Sequence, residues 1–583
     1  MDKQKLVDIL SGGLQSAALP IGLPLNKQQK QWLGGFFAGL QTQSATAGGL
    51  ETTGKPLLII YGTQTGNSEA VAEDAAAAAK ANGLAPVVMD MDDVDVATLA
   101  NTERLLVVTS TYGEGEMPDN AHLLWEAICE ESAPTLDKTF YSVLALGDSS
   151  YDDFCLAGKE WDERLQSLGA TKIADRVDCD VDFDEAASGW IETVLPIISE
   201  KGSDEVAAPT AATNKPAKSK FNRKNPLPAI LKTKRILTAP ESSKEIVHYE
   251  FDLADSGETY VAGDALNIVP VNRDDLVNEF LAYFAEEAND TVRQQLTTEL
   301  EIRTPSKELV KLVAEKGGDD ELNRLLANND PEALDDFLWG KDCYELVTNY
   351  AGDDLTLNEF LATCKPLVAR AYSISSSIKK HENEVHLTIG SVRYKTNERH
   401  QNGVASTYLA DIANEGDTVH CYFSPNKSFK IPQDGSLPII MVGPGTGIAP
   451  FRSFLEAREM TQATGDNWLL FGDRNAATDF IYREEVEAMQ ASGLLTKLSL
   501  AFSRDQAEKI YVQDRMKEEG AELFAWLERG GYFYICGDAY RMAKDVDKAL
   551  HELIAEHGNM SDDEAVSYVN QLKKDKRYVR DVY

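Results

Sequence analysis

Between residues 56 and 200 the chain repeats one unit: an apolar run, a glycine-bearing turn and a helical stretch. The runs are Leu57-Leu58-Ile59-Ile60-Tyr61, Leu105-Leu106-Val107-Val108-Thr109 and Ser142-Val143-Leu144-Ala145-Leu146, each of a length that suits a buried strand. Alanine-rich helical segments such as Glu69 to Lys80 separate them. Strands alternating with helices predict a doubly wound parallel α/β sheet. Such a sheet binds ligands beyond the carboxyl ends of its strands, and all three turns fall at those ends.

The first turn, Thr63-Gln64-Thr65-Gly66-Asn67-Ser68, opens a helix. Its backbone N–H groups and hydroxyls can wrap a phosphate monoester at the positive helix end. It contains no lysine, so it is not a nucleoside-triphosphate loop. The second turn is Ser110-Thr111-Tyr112-Gly113-Glu114-Gly115, and the third is Leu146-Gly147-Asp148-Ser149-Ser150-Tyr151-Asp152-Asp153-Phe154-Cys155. Each delivers one tyrosine to the same edge. Two rings, Tyr112 and Tyr151, can sandwich an isoalloxazine, whose polar rim suits the N–H groups of glycine-rich turns. Taken singly, the first turn is equally a polar strand-to-helix connection, and the tyrosines are ordinary loop residues. Cys155 reads as a small packed residue rather than a redox group.

At 583 residues the chain exceeds one core, and three or four domains are expected. We place an N-terminal segment at 1–55, the doubly wound unit at 56–200 and a flexible linker rich in Ala, Lys, Pro, Ser and Thr at 201–219. Residues 220–432 read as strand-rich, with acidic helical periodicity at 273–365, and a β-barrel carrying a helical insert is the simplest interpretation. Strands and helices alternate again over 433–583. Seven scattered cysteines with no CxxC pair fit a reduced cytoplasmic chain without disulfides, structural zinc or an iron–sulfur cluster. No apolar run reaches membrane-spanning length, and no secretory signal stands out. An excess of 95 acidic over 57 basic residues disfavours nucleic acid and permits docking on a basic protein partner.

In so acidic a chain, Ser503-Arg504-Asp505-Gln506-Ala507-Glu508-Lys509-Ile510-Tyr511-Val512-Gln513 gathers Ser, Arg, Lys, Tyr and Gln into one stretch. That set can bind a compact dianion and stack a ring on Arg504 or Tyr511, as the 2′-phosphate and adenine of NADPH require. Alone it would be a solvated charge run. Upstream lies Met441-Val442-Gly443-Pro444-Gly445-Thr446-Gly447-Ile448-Ala449-Pro450-Phe451-Arg452, which is not the GxGxxG of dinucleotide folds. Downstream, Cys536-Gly537-Asp538-Ala539 follows the strand Tyr532-Phe533-Tyr534-Ile535. Three more candidates precede these in order: Arg370-Ala371-Tyr372-Ser373, then Thr388-Ile389-Gly390 with Tyr394, then Gly403-Val404-Ala405-Ser406-Thr407.

The three turns of 56–200 resemble those of flavodoxins, specifically the FMN domain of diflavin reductases. The resemblance implies FMN phosphate at Thr63 to Ser68, with the ring and ribityl chain at Ser110 to Gly113 and Leu146 to Cys155. Arg370 to Ser373 resembles the RxYS motif of ferredoxin-reductase barrels and so implies FAD. Arg370 would neutralise its pyrophosphate, Tyr372 would stack on the flavin, and Ser373 would bond near N5. Thr388, Ile389, Gly390 and Tyr394 would lie beside them. Gly403, Val404, Ala405 and Ser406 would hold the pyrophosphate at a helix N-terminus. Gly443 to Gly447 matches the pyrophosphate turn of the same family's NADPH domains. Preference for NADPH would then rest on Ser503, Arg504, Lys509, Tyr511 and Gln513, with Ile510 and Val512 in the same run and Asp545 as a further contact. By the same resemblance Cys536 lies beside the nicotinamide, Asp581 pairs with Ser373 and Cys536 around hydride transfer, and Tyr583 covers the flavin.

Residues 56–583 thus resemble a diflavin reductase over almost their whole length. Gly390 to Tyr394, Val512-Gln513-Asp514, Cys536 to Asp545 and the terminal Arg580-Asp581-Val582-Tyr583 are similar to the flavoprotein (alpha) subunits of NADPH-dependent assimilatory sulfite reductases. So is Leu25 to Phe37, tied in that family to self-assembly, which implies a homo-oligomer through the N-terminal segment. The resemblance implies electrons passing from NADPH to FAD to FMN, then to a sirohaem/iron–sulfur haemoprotein (beta) subunit that reduces sulfite to sulfide for cysteine biosynthesis. The linker would let the FMN domain shuttle between FAD and the acceptor. Ser110 to Gly115 resembles the microsomal diflavin reductase as much as the sulfite enzyme, in which Gln or His is expected at 112. The alternative is therefore a soluble diflavin reductase serving a haem monooxygenase or another one-electron acceptor. A non-enzymatic flavin-binding module would require lost cofactors, whereas every motif is intact.

Overall fold

The computed structural model describes residues 54–64, 66–113, 115–149, 151, 153–205, 219–285, 289–328, 331–396 and 399–583. The N-terminal segment up to residue 53, residues 206–218 of the linker, and Thr65, Glu114, Ser150 and Asp152 of the turns lie outside the described residues.

Six strands, β1 (Lys55–Gly62), β2 (Leu84–Asp90), β3 (Arg104–Ser110), β4 (Phe140–Leu146), β5 (Thr171–Lys172) and β6 (Val177–Cys179), build the first sheet. It is parallel throughout, in the order β2-β1-β3-β4-β5, with β6 also paired to β4. The strands are apolar at nearly every position because both faces are covered. Leu57, Ile59 and Tyr61 pack with Ala72, Ala75 and Ala79 of the helix Asn67–Ala81 and with Trp190 and Val194 of Asp184–Ser199. Leu58 and Ile60 face the other way, with Leu124, Ile128, Trp161 and Leu165 in the same cluster. This is the flavodoxin-like doubly wound sheet.

The second unit holds β7 (Leu227–Ile236), β8 (Ile246–Asp252), β9 (Ala265–Ile268), β10 (Arg370–Ser373), β11 (Glu384–Gly390), the hairpin β12 (Arg393–Thr396) and β13 (Arg399–Asn402), and β14 (Thr418–Ser424). Its main sheet is antiparallel, in the order β10-β9-β14-β7-β8-β11. An isolated bridge between Ile374 and Leu387 joins its two edges and closes a barrel. Alternation fills that barrel: Val247, Tyr249 and Phe251 of β8 and Val385, Leu387 and Ile389 of β11 point into one core. Between β9 and β10 the described residues form seven helices with their own core around Val277, Phe280, Leu296, Val310, Leu346 and Phe360.

The third sheet, β15 (Ile439–Val442), β16 (Asn467–Asp473), β17 (Lys497–Phe502), β18 (Tyr532–Gly537) and β19 (Tyr578–Val582), is parallel in the order β17-β16-β15-β18-β19. The helix Ala449–Met460 contributes Phe451, Phe454 and Leu455 to the core on one face. Met542–Gly558 contributes Val546, Leu550 and Leu553 to the core on the other. Among the described residues, no helix is long and apolar enough to cross a membrane.

Candidate functional site

At the edge of the first sheet, Gly66 takes a left-handed φ of 86° and caps the helix Asn67–Ala81 without any side-chain bond. A Cβ there would have only the Pro425 carbonyl oxygen within 4 Å, so the turn is open and its need for glycine is conformational. Thr63 Oγ1 accepts from Gly66 N at 2.9 Å, and Thr63 N donates to Asn120 Oδ1 at 2.8 Å, which fixes the loop. Gln64 exchanges two 3.3 Å bonds with Asp119. Ser68 Oγ and Ser110 Oγ are buried without a hydrogen-bond partner. Free helix-end amides and orphaned hydroxyls beside an open glycine suit a phosphate monoester, so these residues fit the FMN that the sequence implies. On the third turn, Ser149 N and Oγ donate to Asp180 at 3.0 and 2.5 Å. Tyr151 is 57% exposed, as a ring available for stacking must be. Cys155 is fully buried at the cap of the next helix, and burial pushes its thiol up to about 12.

At the joint of barrel and third sheet, three residues distant in sequence meet. Ser373 Oγ at the end of β10 donates to Asp581 Oδ2 at 2.6 Å, and Cys536 Sγ lies 3.8 Å from the same oxygen. Cys536 and Asp581 are direct partners on β18 and β19, so the sheet register sets their approach. Burial holds the Asp581 carboxyl above its ordinary range, opposed by the Ser373 bond, and burial also raises the Cys536 thiol well above its usual value. The thiol therefore stays protonated and acts as a donor rather than a nucleophile. Tyr583 is pinned by its backbone to Gly537 O and Ala539 N, and its hydroxyl meets Thr446 Oγ1 at 2.9 Å. Arg370 is half exposed, with Glu301 3.5 Å away. Tyr394 stacks on Trp339 at 5.9 Å, and its hydroxyl accepts from Arg303 at 2.9 Å. Gly403 caps the short helix Val404–Thr407, inside which Ala405 and Ser406 are buried.

Thr388 is placed differently from a flavin contact made through its side chain. Its hydroxyl meets Tyr482 Oη at 2.7 Å, and His248 Nδ1 lies 2.7 Å from the same oxygen. The Val385, Leu387 and Ile389 side chains fill the barrel, so Thr388 points outward and ties the barrel to the cap of the helix Arg483–Ala491. Any flavin contact from Thr388 is left to its backbone. Burial lowers His248 to about 3 and His386 to about 4, with the Arg452 guanidinium adding to both shifts, so both rings are neutral at neutral pH.

The third sheet shapes the Gly443–Gly447 turn. A Cβ on Gly447 would stand 2.1 Å from Cys536 O, and one on Gly443 would stand 2.5 Å from Gly447 O, so both glycines are steric requirements. Ser503 N donates to Asp473 O at 2.9 Å and Arg504 N to Arg474 O at 2.8 Å, which lays the basic run along the ends of β16 and β17. Arg504 and Lys509 are exposed, Tyr511 is 44% exposed, and Gln513 Nε2 lies 3.3 Å from Asp545 Oδ2. Ile510 and Val512 instead pack into the core beneath.

Reading the sequence missed the residues that join the flavodoxin-like unit to this site. Arg580 bonds Asp119 at 2.5 Å, the Tyr112 hydroxyl donates to Val582 O, Lys365 meets Asp148 at 2.9 Å and Asp180 at 3.4 Å, and Lys427 pairs with Glu69. Along β19, Arg580 and Val582 thus meet the flavodoxin-like unit while Asp581 meets Ser373 and Cys536.

The flavodoxin family profile matches residues 59–190, an FAD binding domain profile matches 219–293 and 286–408, and an oxidoreductase NAD-binding domain profile matches 441–548. A sulfite reductase [NADPH] flavoprotein alpha-component of Bacillus subtilis (strain 168) is 41% identical over 581 residues, covering 96% of both chains. The proteins of that name from Vibrio parahaemolyticus and Vibrio vulnificus are each 40% identical over 583 residues, covering 96% of this chain and 93% and 94% of theirs. The chain belongs to the sulfite reductase flavoprotein alpha-component family. This flavoprotein is an NADPH oxidoreductase whose cofactors are FMN, FAD and NADPH, taken by the flavodoxin, FAD-binding and NAD-binding domains in chain order.

Proposed function

We propose that this flavoprotein supplies electrons for assimilatory sulfite reduction in the cytoplasm, handing them to a sirohaem/iron–sulfur haemoprotein subunit. The observation that carries the reading is the 41% identity to the sulfite reductase flavoprotein alpha-component of Bacillus subtilis over 96% of both chains. When bound, the two flavins convert a two-electron hydride donor into a one-electron supply, which an iron centre requires. The chain's own residues do the placing. The turns Thr63–Ser68, Ser110–Gly113 and Leu146–Cys155 hold FMN. Arg370–Ser373, the backbone of Thr388–Gly390, Tyr394 and Gly403–Ser406 hold FAD. Gly443–Gly447 holds the NADPH pyrophosphate, while Ser503, Arg504, Lys509, Tyr511 and Gln513 read its 2′-phosphate and adenine, with Asp545 adjoining. Asp581 orients the Ser373 hydroxyl and the Cys536 thiol around the reacting nicotinamide. Tyr583 covers that position until nicotinamide displaces it.

The test is reconstitution without oxygen. The holoprotein is mixed with a sirohaem haemoprotein subunit and sulfite, or with a haem monooxygenase, and NADPH oxidation and sulfide are measured. Six electrons per sulfite require three NADPH per sulfide. NADPH oxidation driven only by the monooxygenase, with no sulfide formed, would overturn the proposal. We also propose that residues 1–55 assemble the subunit with copies of itself. Sedimentation of a protein lacking them should show a monomer, and an unchanged assembly would contradict this.

A further inference from the structure

Lys365 lies between the helix Leu357–Thr363 and β10, shortly before Arg370. Its backbone is fixed there. Lys365 O accepts from Glu301 N at 2.8 Å, Leu367 N donates to Glu299 O at 2.7 Å, and the Glu301 carboxylate lies 3.5 Å from Arg370. Its side chain crosses to the flavodoxin-like unit. Nζ lies 2.9 Å from Asp148 Oδ1 and 3.4 Å from Asp180 Oδ2, and the lysine side chain is only 16% exposed. The same Asp180 oxygen accepts from Ser149 Oγ at 2.5 Å, and Asp180 Oδ1 accepts from Ser149 N at 3.0 Å. Asp148 and Ser149 belong to the Leu146–Cys155 turn. The lysine therefore grips that turn directly at one residue and through Asp180 at the next.

Two carboxylates thus converge on one ammonium, which has three protons to share between them. Without the cation, like charges would face each other across the turn. A second lysine from the other half supports the same turn: Lys307, at the start of the helix Lys307–Gly317, donates from Nζ to Tyr151 O at 3.2 Å. Tyr151 carries the exposed ring of that turn. The turn is therefore held from two units at once, and its bracing changes when they separate.

We propose that Lys365 is a positioning residue for FMN, acting through Asp148 and Asp180 on the Leu146–Cys155 turn only while the two halves are docked. The inference rests on reading that turn as part of the FMN site. FMN is then held most tightly in the docked arrangement, and by linkage FMN favours docking by the same factor. Among the described residues, the ion-pair partners of Lys365 both lie on the flavodoxin-like unit, so FAD affinity does not depend on its charge.

The experiment is a fluorescence titration with FMN of the full chain, stripped of FMN and still carrying FAD, at about 0.05 M and about 1 M salt. Lys365→Gln should raise the Kd for FMN about fivefold at low salt, the effect of losing two partly exposed ion pairs. At high salt, where the screening length falls to about 3 Å, wild type and variant should agree within about twofold. Lys365→Arg should keep most of the affinity, and all three proteins should carry equal FAD. Equal FMN affinity of wild type and Lys365→Gln at low salt would overturn the role. So would a gap of the same size at both salts, which marks local damage rather than an electrostatic brace. Tyr151→Ala separates the two readings. If it binds FMN like wild type, the turn assignment falls and the proposal with it. If it binds FMN weakly while Lys365→Gln binds like wild type, only Lys365 falls.

Discussion

The flavodoxin-like unit is docked on the rest of the chain by charge, and that docking should be measurable. Among the described residues, the ion pairs across the joint share one polarity, with the acid on the flavodoxin-like unit and the base on the barrel, insert or third unit. Asp119 meets Arg580 at 2.5 Å, Asp148 and Asp180 meet Lys365 at 2.9 and 3.4 Å, and Asp93 meets Lys576 at 3.2 Å. Glu69 pairs with Lys427, and Asp184 with Arg223 and Lys224. Most of these side chains are partly exposed, so each pair contributes about 0.2–1 kcal/mol and the seven together about 1–7 kcal/mol. Raising salt from about 0.05 M to about 1 M shortens the screening length to about 3 Å and removes most of that sum. Arg580→Gln removes the base paired with Asp119 and should shift the ratio of docked to undocked protein by up to about fivefold, the effect of about 1 kcal/mol. Small-angle scattering of the holoprotein reads the outcome. The radius of gyration should grow with salt, and in Arg580→Gln it should grow at lower salt, while the helical signal stays constant. Identical scattering at both salts and in both proteins would refute the electrostatic account of docking.

Three further outcomes follow from single residues. Arg504→Ala should raise KM for NADPH at least about tenfold and leave NADH nearly unchanged, because a charge-assisted bond to the 2′-phosphate is lost; equal losses in steady-state kinetics would contradict the assignment. Burial, with Asp90 adding, holds the Asp92 carboxyl up at about 7, against an ordinary 3.8. The folded chain thus keeps a proton that the unfolded chain has released, so this contribution to stability is fully present below the ordinary value and lost as pH rises through 7. Asp92→Asn should therefore stabilise the protein at about pH 8 by about 1–2 kcal/mol and change little near pH 4, with partial exposure discounting the full shift; denaturant titrations showing equal effects at both pH values would contradict it. Deleting Tyr583 removes the ring held to Thr446 and should lower KM for NADH or change the rate of reduction by NADPH; unchanged kinetics with both coenzymes would remove its role.

Strands buried on both faces announce themselves, and Leu57–Tyr61, Leu105–Thr109 and Ser142–Leu146 all fall within observed strands. The edge strand β2 does not: Pro86 interrupts its apolar run, and Val87 is exposed. Ser373, Cys536 and Asp581 were legible as a group only through the family resemblance. Their meeting depends on the register that sets Cys536 opposite Asp581 and on a barrel edge 208 residues away in sequence. The direction of Thr388 was hidden because its partner, Tyr482, lies 94 residues on, at the cap of a helix in the third unit. Lys365 left no signal at all, and Arg580, though part of the terminal motif, gave none of its pairing with Asp119. In a chain with 57 basic residues a lone lysine or arginine carries no periodicity, and only tertiary packing selects its acid.

The central claim is that one chain carries two different flavins between a hydride donor and a one-electron acceptor. Chromatography of the flavin released from the purified, reconstituted protein tests it most directly. Equal amounts of FMN and FAD are predicted, and recovery of only one of them would contradict the account.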